Sequence, residues 1–357
     1  MPNHYQRALF DAMRADGIDL GVAYYERVPA DRVALGWSPK TDLPPGERYV
    51  PKSLDSLALW LDWRERVHVT PGYAGQFNIA LARRLSREGV GWVHWSERAH
   101  SGVRAKLIFP LKVAYAAMVN TYALGAFAIG QKALDDFQRW GIHPEKTSLL
   151  PYSPAATPMD GPIDEACLRF RGGRRAFLFL GGLDRRKGMD VLIEAFARAA
   201  ADAVDEWSLL LVGDDRSAGE YPRRVAELGL SSRVLFRGSV KPDELPTVIR
   251  AADVLVLPSR FDGWGVVLNE AASAGLALIA TTECGAADHL ISRGENGYVV
   301  EAGNVASLAR AMTAYARNPG LAERHGEVSR ATFEDHTPQR AVESMRRAID
   351  SWRALIQ

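Results

Sequence analysis

The sequence predicts an α/β protein of two doubly wound domains, in which each parallel sheet carries helices on both faces. Helix and strand patterns alternate along the chain, and this alternation is typical of parallel sheets. Several strand patterns, such as 175–182 and 254–259, are near-continuous apolar runs, as in strands buried on both faces. One proline-rich stretch, 151–165, interrupts the alternation, and 357 residues are enough for two domains.

The first half of the chain opens on a helix, 4–16, with Leu9, Phe10 and Met13 on one side. Further helices are predicted at 74–89, 105–119 and 131–141, and strands at 19–25, 66–70, 89–95, 125–130 and 147–152. The helix that contains Pro110 is expected to be kinked or broken there, because proline lacks the amide hydrogen that a helix needs.

The second half repeats the pattern after the stretch 151–165, which four prolines make the best candidate for a linker. Helices are predicted at 188–201, 221–230, 242–253, 265–275 and 338–356, and strands at 175–182, 207–215, 233–239, 254–259 and 276–283. The predicted domains are therefore 1–155 and 156–335. The remaining segment, 336–357, is predicted to be a terminal helix, and packing against the first domain is one arrangement that the sequence allows.

Composition and charge exclude some classes of protein. A formal net charge of +1 gives no reason to expect a nucleic-acid partner. Cys167 and Cys284 lie far apart and fit no metal-binding spacing. No secretory signal opens the chain, and polar residues and a glycine interrupt its longest apolar stretch, 113–130. These features predict a cytoplasmic protein.

A glycine-rich turn between two acids is the most informative segment of the chain. In the stretch 260–275, RFDGWGVVLNEAASAG, Asp262 follows a predicted strand, and Glu270 lies on the next helix, roughly 8 Å beyond Gly265. Gly263 and Gly265 let backbone approach a ligand, and the start of a helix attracts anions. Carboxylates on both sides of an anion site suit the hydroxyls of a sugar nucleotide. The alternative is a helix-starting aspartate and a solvated glutamate.

Residues 258–300, PSRFDGWGVVLNEAASAGLALIATTECGAADHLISRGENGYVV, resemble the signature region of the GT-B glycosyltransferases of family 4. The resemblance implies two Rossmann-like domains that face each other across a cleft. It also implies that Asp262, where the family usually has glutamate, contacts the donor sugar in catalysis and that Glu270 binds the ribose. Sugar and diphosphate would be lined by the glycine-rich turn, which comprises Gly263, Trp264, Gly265, Val266 and Val267.

A second loop, FLGGLDRRKGMDVLIEAF, resembles the family loop whose arginine and lysine hold the diphosphate. Lys187 matches the lysine, which would stabilise the leaving diphosphate in catalysis. The family arginine falls on Gly182, so that contact is missing. Arg185 and Arg186 are the candidates to replace it, and the alternative is that both are solvated charges.

The segment RGSVKPDEL resembles the one that holds the nucleobase through backbone atoms, here near Val240. Such contacts leave the base unidentified, so the expected donor is of the UDP or GDP type. The chain has no Asp-x-Asp motif, of the kind that holds a diphosphate through a metal. We therefore expect no metal and no cofactor besides the sugar nucleotide, which is a substrate.

The amino-terminal half is the acceptor side by resemblance, and its candidates are less specific. The family histidine falls near Thr70 in the stretch RVHVTPGYAGQ, which also contains Tyr73 and a strand histidine, His68, better suited to the core. Glu97 follows the next strand, with histidines at 94 and 100 as further candidates.

The opening helix lacks the strand that precedes it in the family, so either the natural start lies upstream or the sheet has closed around the gap. The loop before the helix would hold two acceptor-side candidates, Asn3 and His4. The alternative for Asn3 is a capping box with Gln6.

The stretch 98–115 mixes basic and apolar residues, among them Arg104, Lys106 and Lys112. It predicts either peripheral contact with an anionic membrane, on its inner face, or a basic half-buried helix.

Together these features predict a retaining glycosyltransferase that transfers a sugar from a nucleotide donor to an acceptor hydroxyl. The acceptor classes that the resemblance implies are bacterial polysaccharide, lipopolysaccharide and glycolipid. Two alternatives stay open, a non-catalytic sugar-nucleotide-binding protein and an epimerase of the same fold. A dehydrogenase is disfavoured, because no GxGxxG follows a strand near the start of either domain.

Overall fold

The computed structural model describes residues 4–30, 33, 43–73, 75–99, 107–203, 206–318 and 320–355. These residues form two compact units. The first comprises the described residues of 1–29, 38–153 and 338–357, and the second those of 30–37 and 154–337. The terminal helix thus belongs to the first unit.

Helices and strands alternate through both units. From the start of the chain they are α1 His4–Ala15, β1 Val22–Tyr24, β2 Glu47–Tyr49, β3 His68–Pro71, α2 Gln76–Arg87, β4 Trp92–Ser96, α3 Phe109–Tyr122, β5 Gly125–Ala128, α4 Gln131–Trp140, β6 Thr147–Leu149 and α5 Glu165–Arg171. They continue as β7 Arg175–Leu180, α6 Met189–Ala203, β8 Trp207–Val212, α7 Glu220–Glu227, β9 Val234–Gly238, α8 Leu245–Ile249, β10 Val254–Leu257 and α9 Val267–Ser273. The last are β11 Ala277–Thr281, α10 Ala287–Leu290, β12 Gly297–Val300, α11 Val305–Arg317, α12 Leu321–Phe333 and α13 Pro338–Ala354.

The sheets are parallel, as the alternation predicts. The first unit has a four-stranded sheet in the order β3-β4-β5-β6 and a separate parallel pair, β1-β2. The second unit has six parallel strands in the order β12-β11-β10-β7-β8-β9. Every residue of β8, β10 and β11 is buried, which explains why these strands are continuous apolar runs.

The strand order of the second sheet decides where a ligand can bind. The chain runs outward from β7 through β8 to β9, then returns to place β10 on the other side of β7. Neighbouring strands therefore lead into loops that diverge, which opens a crevice at their carboxyl ends. The loops in question follow β7, at 181–188, and β10, at 258–266.

The terminal helix α13 packs on α1 in the first unit. Its Trp352 is buried against Phe127 of β5, with ring centroids 4.8 Å apart. A β-carbon at Gly125 would lie 2.4 Å from the Trp352 ring, so the helix requires glycine at that position. Arg346 of α13 also donates to the carbonyl of Asp16, at 2.7 Å.

The predicted helix is interrupted beside Pro110, as expected, because Leu107 is helical, Ile108 lies in a turn and α3 begins at Phe109. The proline occupies the first turn of α3, where no amide hydrogen is needed. Residues 284–337, for which the sequence pattern predicts no element, contain β12 and the helices α10, α11 and α12. Within the described residues, no helix combines the length and apolar character that crossing a bilayer requires. Asn3, His100 and any strand before α1 lie outside the described residues, so the predictions about them stay predictions.

Candidate functional site

The loops after β7 and β10 are joined to each other at the crevice. Arg260 donates its backbone amide to the carbonyl of Arg186 at 2.8 Å and its guanidinium to the carbonyl of Arg185 at 2.7 Å. The same guanidinium forms a bidentate pair with Asp190, at 2.6 and 2.8 Å. Gly188 makes this contact sterically feasible, because a β-carbon there would lie 2.0 Å from a carbonyl oxygen of the other loop. The two loops are therefore positioned as one framework.

This framework brings Lys187 and Asp262 together, although 75 residues separate them. The Lys187 Nζ lies 2.5 Å from Asp262 Oδ2, and the side chains are 15% and 13% exposed. The Lys187 amide donates to Asp184 at 2.8 Å, and the Asp262 amide donates to the carbonyl of Glu283 at 3.0 Å. An ammonium is thus held, mostly shielded from water, at the carboxyl end of β7.

The glycine-rich turn presents free backbone donors. Gly265 has a φ of +91°, and a β-carbon there would lie 2.6 Å from the Cys284 sulfur, so glycine is required. The Trp264 side chain is buried and donates to Asn269 at 2.9 Å, which leaves only its backbone for a ligand. Five successive amides have no acceptor among the described residues, namely those of Gly263, Trp264, Gly265, Val266 and Val267. Such a row of amides suits an anion.

Glu270 is a carboxylate without a partner. It lies on α9, and its side chain is half-buried with no hydrogen bond or ion pair to the described residues. Burial raises the pKa of the Glu270 carboxyl to about 7. The backbone carbonyl of the same residue accepts from Thr157 at 2.9 Å and from Ser273 at 2.8 Å, which fixes α9 in place. A desolvated carboxylate in this state is prepared to accept hydrogen bonds from hydroxyls.

Arg185 and Arg186, the predicted replacements for the missing arginine, differ in their surroundings. Arg185 is exposed and has no side-chain partner in the described chain, whereas Arg186 donates to the carbonyl of Phe261 at 3.2 Å. The structure adds a residue that the sequence analysis misses. A β-carbon at Gly182 would lie 3.3 Å from the Arg216 guanidinium, which comes from the loop after β8.

Val240 lies beyond the end of β9, on the far side of β8 from β7. Its side chain is half-buried, and its amide has no acceptor among the described residues. Across all the residues that the structure describes, no group of three or more His, Cys, Asp and Glu side chains is arranged to hold a metal ion.

Three acceptor-side candidates of the first unit, Thr70, Tyr73 and Glu97, contact neighbouring residues of that unit. Thr70 is fully buried and its hydroxyl donates to the carbonyl of Val93 at 3.1 Å, so its side chain is engaged within the sheet, and a role toward an acceptor stays a prediction. Tyr73 packs edge-on against Trp140, with centroids 4.8 Å apart, and burial raises its pKa to about 12. Glu97 interacts with Tyr152, whose pKa is raised by burial and then by Glu97.

Two histidines of this unit, His94 and His68, are engaged in hydrogen bonds. His94 is buried between Tyr115, 3.0 Å from Nδ1, and Ser96, 2.8 Å from Nε2, and burial lowers its pKa to about 3. His68 lies 2.7 Å from the carbonyl of Trp63 through Nε2, and burial lowers its pKa too. His4 begins α1.

The chain resembles known proteins in sequence and in fold. Residues 163–332 match the family model described as Glycosyl transferases group 1. A phosphatidyl-myo-inositol mannosyltransferase of Mycobacterium leprae (strain TN) is 37% identical over 153 residues, 42% of this chain and 40% of that protein. The lipopolysaccharide core biosynthesis mannosyltransferase LpcC of Rhizobium leguminosarum bv. viciae is 33% identical over 160 residues, 43% and 44% of the two chains. The chain thus spans less than half the length of these relatives.

Solved structures cover nearly all of the chain. Anabaena Alr3699/HepE in complex with UDP has a TM-score of 0.76 and 17% identity, covering 98% of this chain and 97% of that one. Sucrose-phosphate synthase from Thermosynechococcus elongatus has a TM-score of 0.71 and 22% identity, covering 98% and 93%. At such identities the likeness concerns the fold. Residues 163–332 are therefore a glycosyl transferases group 1 domain, within a chain that has the fold of the GT-B glycosyltransferases.

Proposed function

We propose that this chain is a retaining glycosyltransferase that moves a sugar from a nucleotide-diphosphate sugar to an acceptor hydroxyl. The observation that carries the proposal is the unpaired carboxylate of Glu270 on the helix that follows five free amides, with Lys187 on the adjoining loop. Anion donors beside a carboxylate that lacks donors match a diphosphate beside ribose hydroxyls. The relatives with a matching domain are named as glycosyltransferases, which supports a catalytic protein.

In this proposal, different residues of the site bind different parts of the donor. The free amides of residues 263–267 and the Lys187 ammonium bind the diphosphate, and Glu270 binds the ribose. Asp262 keeps Lys187 in place through Oδ2, and its Oδ1, which has no partner in the described residues, accepts from a sugar hydroxyl. The base lies near Val240. The donor is of the UDP or GDP type, since HepE was solved with UDP-glucose and two relatives are named as mannosyltransferases.

Retention of configuration, as proposed, requires the acceptor to attack from the face that the nucleotide leaves. As the bond between sugar and phosphate breaks, charge accumulates on the diphosphate beside Lys187 and the free amides, where it is stabilised most. The acceptor hydroxyl attacks the face that the nucleotide leaves, so the departing phosphate takes its proton. A side-chain base is then unnecessary, which agrees with a His94 whose two ring nitrogens are both engaged. Lys187 and the amides also take the role that a metal has in other sugar transferases.

We propose a lipid-linked or polysaccharide acceptor and peripheral contact with an anionic membrane. An apolar surface at the start of α3 supports this, with Leu107 75% and Leu111 71% exposed and Ile108 and Phe109 beside them. The basic residues at 104 and 106 adjoin it in sequence and lie outside the described residues. Such a surface suits the boundary between headgroups and acyl chains.

Lys112 does not belong to this surface, and its burial fits the other alternative for this stretch, a basic half-buried helix. It is buried over the ring of Trp140, 4.8 Å from the centroid. Flotation with vesicles of anionic or neutral lipid tests the contact. Leu107→Ser with Leu111→Ser should abolish binding to anionic vesicles, whereas Leu61→Ser, at a fully exposed leucine elsewhere in the first unit, should not. Equal flotation of all three proteins would refute membrane contact through this surface.

The activity is tested with a panel of UDP- and GDP-sugars, first by thermal shift and then by nucleotide release with and without acceptors. A donor that stabilises the protein and is consumed supports transfer, and the anomeric configuration of the product, read by NMR, tests retention. The assay is repeated in EDTA, where release should persist. Binding without turnover on any acceptor would favour a non-catalytic protein, and loss in EDTA that magnesium or manganese restores would overturn the metal-free mechanism.

A further inference from the structure

The loops after β7 and β8 are joined beyond the ends of their strands. The Leu183 amide donates to the carbonyl of Asp214 at 2.8 Å, and the Arg216 amide donates to the carbonyl of Leu183 at 3.2 Å. The approach is so close that a β-carbon at Gly213 would lie 1.8 Å from the carbonyl oxygen of Gly181. The backbone of Arg216 is therefore fixed against the loop that carries Lys187.

Two consecutive glycines of that loop lie between an arginine and a lysine. At Gly182 a β-carbon would be 3.3 Å from both Cζ and Nε of Arg216. At Gly181 it would be 4.0 Å from Cε of Lys187. The Gly182 amide has no acceptor among the described residues. A guanidinium, a free amide and an ammonium thus adjoin one short segment at the carboxyl end of β7.

The Arg216 guanidinium is only loosely engaged by neighbouring acids. Its contacts are 3.5 Å to Asp214 and 3.8 Å to Asp184, and its side chain is 50% exposed. By contrast, Arg260 binds Asp190 through two hydrogen bonds of 2.6 and 2.8 Å. Most donors of the Arg216 fork are therefore free for an anion, while the two acids limit where it moves.

We propose that Arg216 binds the diphosphate of the donor, from the side of the loop where residue 182 has no side chain. The proposal rests on the proposed function and deepens it by adding a second cation, beside Lys187, to the phosphate site. A planar guanidinium binds phosphate oxygens in pairs, which a lysine does not. Glycine at 182 leaves the guanidinium room, because a β-carbon there would lie only 3.3 Å from it.

The test compares ligands with and without phosphates. Titration calorimetry with UDP and GDP, and with uridine and guanosine, is carried out on the parent and on Arg216→Ala. The variant should bind the diphosphate about tenfold more weakly, about 1.4 kcal/mol, and the nucleoside equally well. Arg223→Ala is the matched control, since Arg223 is exposed on α7 and has no side-chain partner in the described chain. It should bind both ligands as the parent does.

A second-site variant tests whether diphosphate affinity can be restored, and several outcomes would contradict the inference. Adding Gly182→Arg to Arg216→Ala should restore diphosphate affinity, because it places a guanidinium on the same loop. Equal diphosphate affinity of parent and Arg216→Ala, alongside a loss in Lys187→Ala, would overturn this inference and leave the proposed function intact. A parallel loss of nucleoside affinity would assign Arg216 a structural role and would also overturn it. If Arg216→Ala has a lower melting temperature than the parent, the diphosphate and nucleoside affinities of Arg216→Gln are compared with those of the parent instead. A parent that binds neither UDP nor GDP would overturn the proposed function itself.

Discussion

The ionised carboxylate of Glu270 should lower the stability of the folded protein and strengthen nucleotide binding. The substitution Glu270→Gln should therefore raise the stability and weaken the binding. The carboxylate is half-buried and has no partner among the described residues, and burial raises its pKa from the usual 4.5 to about 7. An ionised group in such a site costs stability that a neutral amide of the same shape does not.

The sign and size of the effect follow from the two pKa values. Below pH 4.5 the carboxyl is protonated in both folded and unfolded chains, so its ionisation costs nothing there. As the pH rises through 4.5 towards 7 the unfolded chain ionises first, and stability is lost until both states are charged. The full difference corresponds to roughly 3 kcal/mol. Because the side chain keeps some contact with water, we expect Glu270→Gln to add about 1–3 kcal/mol of unfolding free energy at pH 8.5.

Ligand binding should have the opposite dependence. Ribose hydroxyls donate to the ionised carboxylate, so binding lowers the pKa of Glu270 and releases a proton. Affinity for UDP or GDP should therefore increase as the pH rises from 6 to 8. Glu270→Gln should lose about 1–3 kcal/mol of binding free energy at pH 8 and most of this pH dependence.

Urea unfolding at pH 4.5 and 8.5, with calorimetric titration of UDP and GDP, measures both effects. Glu327→Gln is the control, because Glu327 is exposed on α12 and has no side-chain partner in the described chain. The reasoning is refuted if Glu270→Gln is no more stable than the parent at pH 8.5, or if it binds the diphosphates with unchanged affinity.

Two further predictions concern catalysis and folding. Lys187→Ala should lower kcat for nucleotide release more than it raises the donor KM, because an ammonium beside the leaving diphosphate acts mainly in the transition state. A change in KM alone would show that Lys187 contributes only to donor binding. Gly125→Ala should lower the unfolding free energy by about 1–3 kcal/mol in urea denaturation, because the added methyl meets the Trp352 ring. Gly173→Ala, with open space around the new β-carbon, should change it much less, and equal losses would contradict the packing argument.

The amino-acid sequence by itself determined the fold class and three residues of the candidate site. Strands buried on both faces require continuous apolar runs, so β7, β8, β10 and β11 are readable from composition over a few residues. Asp262 and Glu270 are readable because their spacing relative to a strand end and two glycines is local, and Lys187 because its loop resembles the family's lysine-containing loop.

Only the tertiary structure decided which residues share the site. The pairing of β10 with β7 places Asp262 against Lys187, and the joined loops after β7 and β8 place Arg216 beside Gly182. The same long-range packing buries Thr70 in its sheet and assigns α13 to the first unit. Strand order and burial depend on contacts between distant segments, and a local pattern records that a residue is apolar or charged but not which segment lies next to it.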